Sequence, residues 1–190
     1  MGVFNMDKKK LRFQQTKIEK LIDITDLDSD EKANLKDYLI KTKFYTKPGA
    51  IKHHHNYGGG LAEHSLEVYE NLKKMWKAYN RDLDVTLSSV IIVGLLHDVC
   101  KVDNYELDYG GKPIFVNKEL KGHGGRSVNM LKGIITLSGV EEQAILYHMG
   151  QWTSNYEDSK YDFSKAIREG DDGLFIYLTH VADMISAIGN

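Results

Sequence analysis

Four of the eight histidines, His64, His97, His123 and His148, fall at or near the ends of helical patterns, with Asp98 directly after His97 and Asp183 in the last helical pattern. Imidazole and carboxylate together suit Mn, Fe, Co, Ni or Zn, with Mg possible where carboxylate and water dominate. A His-Asp pair closing the apolar run Val90 to Leu96 is costly unless its charge is used, because an unpaired carboxylate beside Leu95 and Leu96 carries a heavy desolvation penalty. A cation relieves that penalty. One ion can take His64, His97, Asp98 and Asp183, and a second can share Asp98 and add His123 and His148. Paired ions of this kind clamp phosphoryl oxygens and generate an attacking hydroxide from bound water.

Other residues could meet a substrate. His54 and Tyr57, in the loop that carries three consecutive histidines and three consecutive glycines, can face a phosphate or a base, or can belong to a solvated loop with glycine-enabled turns. Arg126, three residues past His123, can reach an anion or sit on the polar face of a helix. Trp152 and Tyr156 offer stacking surfaces in a polar loop, whereas Trp76, at helical spacing with Leu72 and Tyr79, reads as core. His180, one turn before Asp183, reads as a packed structural histidine.

These residues need elements to hold them. Apolar positions at three-to-four spacing predict amphipathic helices over Lys8 to Ile24 and Ser29 to Phe44, with Ser29 as a helix start. Helical periodicity resumes over Leu61 to Tyr79, which puts His64 in its first turns. Asp84 or Thr86 can cap the next helix, whose interior is apolar all round and so belongs in the middle of the fold, with His97 and Asp98 at its end. Around Tyr109-Gly110-Gly111-Lys112, the stretch Asn104 to Lys121 predicts a small peripheral β-hairpin that Pro113 weakens. Further helices are expected over Gly124 to Leu137, over Val140 to Met149 after a Ser138 cap, and over Gly173 to Ile188. Gly150 to Gly170 reads as a long polar connection, which suggests a role at a substrate.

A chain of 190 residues, 42% hydrophobic and 27% charged with two prolines, has the make-up of one folded domain. Residues 1–52 are expected to supply N-terminal helices and a loop that pack on a metal-binding core over 53–190. A formal charge of −2 gives no global attraction to nucleic acid or anionic membrane, although Lys8 to Lys10 and Lys41, Lys43, Lys47 and Lys52 are local candidates for facing phosphate. The single cysteine, Cys100, excludes an intramolecular disulfide and a cysteine-based zinc site, and points to a reducing, cytoplasmic setting. No apolar stretch is long enough to span a bilayer, so no membrane association is expected.

The segments Gly60-Leu61-Ala62-Glu63-His64-Ser65-Leu66, Leu95-Leu96-His97-Asp98-Val99-Cys100-Lys101 and Val181-Ala182-Asp183 resemble the H…HD…D signature of HD-domain phosphohydrolases, in order and spacing as well as in residue type. The resemblance runs from about His53 to Ala187, and His123 and His148 look like the additional histidines of the branches that bind two metals. In motif it is similar above all to the HD domain of bacterial 3′–5′ exoribonucleases. It implies an all-α HD-domain bundle with the hairpin at its periphery, one or two divalent ions, Asp98 as the central catalytic ligand, and Lys101 contacting a substrate phosphate. Lys101 and Val102 stand where the guanosine-tetraphosphate hydrolases carry an acidic pair, which weighs against that branch. Cys100 replaces a glycine common in relatives, and Met149 replaces a second consecutive histidine of exonuclease-type relatives. The expected function is metal-dependent hydrolysis of a phosphoester or phosphoanhydride in a nucleotide or other phosphorylated small molecule. The alternatives are 3′–5′ exonuclease action on single-stranded nucleic acid and a non-catalytic HD module that binds a nucleotide or protein partner.

Overall fold

In a computed structural model, residues 7–52, 54–79, 82–117, 122–153, 162–170 and 172–188 are described. The chain opens with α1 (Lys8–Asp23) and α2 (Ser29–Lys41), followed by a 3-10 turn at Phe44–Thr46. Asp7 caps α1 by accepting from the backbone N–H groups of Lys9 and Lys10. The α2 cap is Asp28, one residue before the expected Ser29: its carboxylate accepts from Glu31 N–H while the Glu31 side chain accepts from the Asp28 N–H. This reciprocal box satisfies two helix-end donors at once, which a serine one position later could not do. The helix also stops at Lys41, short of Phe44, because Lys43 turns into the left-handed region at φ 59°.

The centre of the fold is α3 (Gly60–Tyr79) packed against α4 (Leu87–Leu96) and α9 (Gly173–Ile188). Thr86 caps α4 by accepting from Ser89 N–H. Every residue of α4 from Ser88 to Leu96 is buried, as its uniform apolar character requires. Each large side chain withdrawn from water there contributes roughly 1.5–3 kcal/mol. Gly94 permits the close approach of α4 to α3: a Cβ at that position would lie 2.6 Å from the Tyr69 Cα. Beneath this layer, α1 crosses α3 and is tied to it by Lys10–Glu63 at 2.7 Å and Lys17–Glu70 at 2.9 Å.

After α4 the chain makes a tight turn through His97 to Cys100 into the one-turn helix α5 (Lys101–Asn104). The expected hairpin follows as β1 (Tyr105–Leu107) and β2 (Pro113–Phe115), antiparallel, with Tyr105 opposite Phe115. Asp108 holds the turn by accepting from the backbone of Gly110 and Lys112, both at 2.8 Å. Residues 118–121, at the end of the stretch predicted for the hairpin, lie outside the described residues.

Next come α6 (His123–Lys132) and α7 (Gly139–Leu146), which pack on each other. Both are shorter than their periodicity suggested, α6 giving way at Gly133. Ser138 and Glu141 form the capping box of α7, with Ser138 as expected. The long polar connection is not wholly irregular. It holds a 3-10 turn at Gly150–Trp152 and α8 (Phe163–Glu169), capped by Asp162 and anchored by buried Phe163 and Ala166. Tyr156 lies outside the described residues. The fold is all-α with one peripheral hairpin. Among the described residues no helix is long and apolar enough to cross a membrane.

Candidate metal centre

The expected ligands come from five places: His64 from the first turns of α3, His97 and Asp98 from the turn after α4, His123 from the start of α6, His148 from just beyond α7, and Asp183 from the middle of α9. Their side chains converge in the interior. His64 Nε2 lies 3.2 Å from Asp183 Oδ1, 3.2 Å from His97 Nε2 and 3.5 Å from Asp98 Oδ2. His148 Nε2 lies 3.5 Å from Asp98 Oδ1. His64, His97 and His148 are at most 2% exposed and Asp98 is 3% exposed.

The outer nitrogens of these rings are committed. His97 Nδ1 lies 3.1 Å from the Gly94 carbonyl and His148 Nδ1 lies 2.7 Å from the Ile145 carbonyl. A carbonyl can only accept, so each ring carries a proton on Nδ1 and turns Nε2 inward. His180 Nδ1–H donates to the His148 carbonyl at 2.8 Å and its ring packs on Phe163, which makes it a support for the His148 turn. Gly150, at φ 61°, leaves the space that this ring fills.

Electrostatically the centre is a dense set of opposed charges. Burial works to raise the Asp98 carboxyl, but the Lys101 ammonium at 2.5 Å and the surrounding imidazoles outweigh it and hold Asp98 well below its ordinary value. Asp183 is likewise lowered against its burial by His64. Lys101 is raised by Asp98 in spite of burial and so stays charged. Burial alone favours neutral His64, yet hydrogen bonds to Asp183 and Asp98 prevail and push it up to about 9, whereas burial takes His97 and His123 down to about 4. A proton on His64 thus sits among the same atoms that a metal ion would use.

Two features fit a divalent cation. His64, His97 and Asp98 offer ligand atoms within 4.8 Å of one another, as do Asp98, Cys100 and His123. In addition, Asp98 Oδ1 and His148 Nε2 are buried without a hydrogen-bond partner. The two atoms lie 3.5 Å apart, and buried polar atoms are seldom left without a hydrogen bond; a cation held by these residues would give both a partner.

The substrate candidates separate into two groups. His54 lies at the rim, its ring centroid 5.9 Å from that of His64. Lys101 is inside the centre, against Asp98. Tyr57, by contrast, donates its hydroxyl to Glu63 at 2.7 Å beneath the Lys10 ammonium, and Arg126 donates to Asn104 Oδ1 at 3.0 Å. Trp152 is half exposed on the 3-10 turn that follows His148. Lys47 does not face outward to phosphate as a surface patch would: it is buried and paired with Glu106 of β1 at 2.5 Å. Two polar residues beside the centre were missed. Ser186 meets the far nitrogen of His64 and donates in turn to Glu67, and each of the two lies three residues, one helical turn, beyond an expected ligand.

A buried His/Asp centre in a helical bundle, with an ammonium beside it, is a site fit to hold a divalent cation next to a second positive charge. The family model of the HD domain matches residues 61–186, and the chain belongs to that family. No curated protein and no solved structure matches it.

Proposed function

We propose that this chain hydrolyses a phosphoester or phosphoanhydride of a nucleotide, with His64, His97, Asp98 and Asp183 holding one divalent cation and with Asp98, His123 and His148 available to a second. The observation that supports this most is a pair of buried atoms without a hydrogen bond, Asp98 Oδ1 and His148 Nε2, which lie 3.5 Å apart among further possible ligand atoms. Left unsatisfied, such groups cost about 1–3 kcal/mol each. When bound, an ion such as Mn, Fe, Co, Ni, Zn or Mg would supply a water acidic enough to give an attacking hydroxide near neutral pH, and positive charge for the phosphoryl oxygens.

The protein's own part is orientation and charge. His97 and His148 aim Nε2 into the centre because their Nδ1–H groups are committed to carbonyls. Asp98 and Asp183 stay ionised. Lys101, on a flexible stem one turn past Asp98, keeps its ammonium charged and is the group to neutralise a substrate phosphate once Asp98 has another cation to balance it. His54 stands at the rim to hydrogen-bond the phosphate or sugar, and Trp152 offers a face to the base. Tyr57 and Arg126 act at one remove, fixing the His-Gly loop and α6 through Glu63 and Asn104.

The test is a panel of nucleoside monophosphates and triphosphates, cyclic dinucleotides and short oligomers incubated with the protein and Mn²⁺. Release of phosphate or nucleoside that EDTA abolishes is expected, and Asp98→Ala should lose both bound metal and turnover. A metal-replete, fully active Asp98→Ala protein would overturn the assignment.

A further inference from the structure

We infer that Ser186 and Glu67 are positioning residues for the metal centre, fixing the ring angle and the protonated nitrogen of His64; the inference rests on the metal reading above. The observation is a hydrogen-bond chain leading away from the centre. His64 Nδ1 lies 3.0 Å from Ser186 Oγ, and Ser186 Oγ donates to Glu67 Oε2 at 2.8 Å. The same Glu67 oxygen lies 3.1 Å from His55 Nε2.

The donor count sets the direction of every bond. Glu67, as a carboxylate, can only accept, so the Ser186 hydroxyl proton points to it. Ser186 Oγ is then left as an acceptor, and the His64 Nδ1–H must donate to it. His64 Nε2 consequently faces Asp98, Asp183 and His97, where its lone pair serves as a ligand. Histidines that bind metal commonly give their other N–H to a carboxylate or a group bonded to one, and the loss of such a partner weakens metal binding roughly 10–100-fold.

The two elements carry this arrangement in a crossed pattern. On α3, His64 and Glu67 are three residues apart; on α9, Asp183 and Ser186 are three residues apart. His64 therefore touches Asp183 with one nitrogen and Ser186 with the other, so the α3–α9 contact that supplies a ligand pair also supplies the support for one of its members. The support is asymmetric with respect to solvent. Ser186 is buried but, with Glu67, it borders an open groove of about 460 Å³ between α1, α3 and α9. Substitutions there can alter the hydrogen-bond chain without opening the core.

The experiment compares Ser186→Ala, Ser186→Thr and Glu67→Gln with the unaltered protein. Two quantities are read: the Mn²⁺ dissociation constant of metal-stripped protein, and the hydrogen-exchange protection of the His64 Nδ1 proton by NMR of the metal-free, ¹⁵N-labelled protein. Helical circular dichroism serves as the control for folding. Ser186→Ala is expected to weaken Mn²⁺ about 10–100-fold and to lose the protected proton, with Ser186→Thr restoring both and Glu67→Gln falling between. Affinity within twofold of the unaltered protein for Ser186→Ala, or equal weakening by the alanine and threonine variants, would overturn the inference. If the unaltered protein takes up no Mn²⁺, the metal reading itself fails. The Nδ1 proton then still decides the role of Ser186: protection lost only in the alanine variant supports the bond, and protection unchanged in it refutes the bond.

Discussion

Lys101 and Asp98 illustrate how a pair of residues can divide two tasks. The ammonium is 15% exposed and the carboxylate 4%, so removing one leaves the other charge buried without its partner. Breaking such a pair costs about 3–5 kcal/mol. Lys101→Met should therefore destabilise the metal-free protein by about that amount, with added Mn²⁺ recovering part of it. It should also keep or improve Mn²⁺ affinity, since a competing cation has gone, while kcat/KM falls. A Mn²⁺ titration beside steady-state kinetics checks this, and parallel loss of affinity and turnover would place Lys101 in support of Asp98 rather than of the substrate. At this scale the cluster of His64, His97, Asp98, His148 and Asp183 was legible, because an ordered run of His, His-Asp and Asp at helix ends has few uses unless the side chains converge, and they do. Tyr57 and Arg126 were less so: a phenol or guanidinium near a motif can bond a neighbour as readily as a substrate, and here Glu63 and Asn104 take them. Ser186 and Glu67 went unseen because serine and glutamate on helix faces are common, and only the contact of α3 with α9 brings Ser186 between His64 and Glu67.

Helices set the distances that the side chains exploit. Gly94 lets α4 lie against α3, and a methyl group there would meet the Tyr69 backbone, which cannot yield as a flexible side chain would. Gly94→Ala should destabilise by about 1–3 kcal/mol, in spite of the better helix propensity of alanine, and weaken metal binding by moving His97 relative to His64. A thermal melt with a metal titration tests it, and a stabilised variant would show that the helices can slide apart freely. Glu31 links elements far apart in the chain: one carboxylate oxygen closes the α2 capping box and the other accepts from the Thr136 N–H at 2.6 Å. Glu31→Ala should lower stability by about 1 kcal/mol. The Thr136 and Asp28 hydrogen bonds lower the pKa of this exposed carboxyl below its unfolded value, so its contribution is fully present above the ordinary glutamate range and is lost as pH falls through the folded value. The gap between the melting curves of the two proteins should close in acid. Long periodic elements such as α3, α4 and α9 were readable from sequence. The two-turn helix α8 was not, because seven residues among polar neighbours carry too little period, and what orders them is the burial of Phe163 and Ala166 against Tyr147, Ile167 and Ile176.

For the whole molecule, the centre is where separate parts of the chain are fastened together, since its residues span positions 64 to 183 and sit on α3, α6 and α9 and in the turns after α4 and α7. An ion bound there stabilises the folded state by about 2.7 kcal/mol at a hundredfold excess over its dissociation constant. For a chain of this length that corresponds to a rise in Tm of roughly 5–10 °C, which EDTA should reverse. The overall architecture was legible because one apolar helix, α4, had to be enclosed and the remaining helices are amphipathic or apolar enough to enclose it. The charge balance of the centre has a consequence for how the protein comes into being. Two carboxylates, Asp98 and Asp183, face the Lys101 ammonium and the His64 and His148 imidazoles, both pushed toward their protonated forms, so opposed charges offset one another in the interior before any ion arrives. The metal-free chain is therefore expected to fold to the same helical bundle, which circular dichroism of EDTA-treated protein checks.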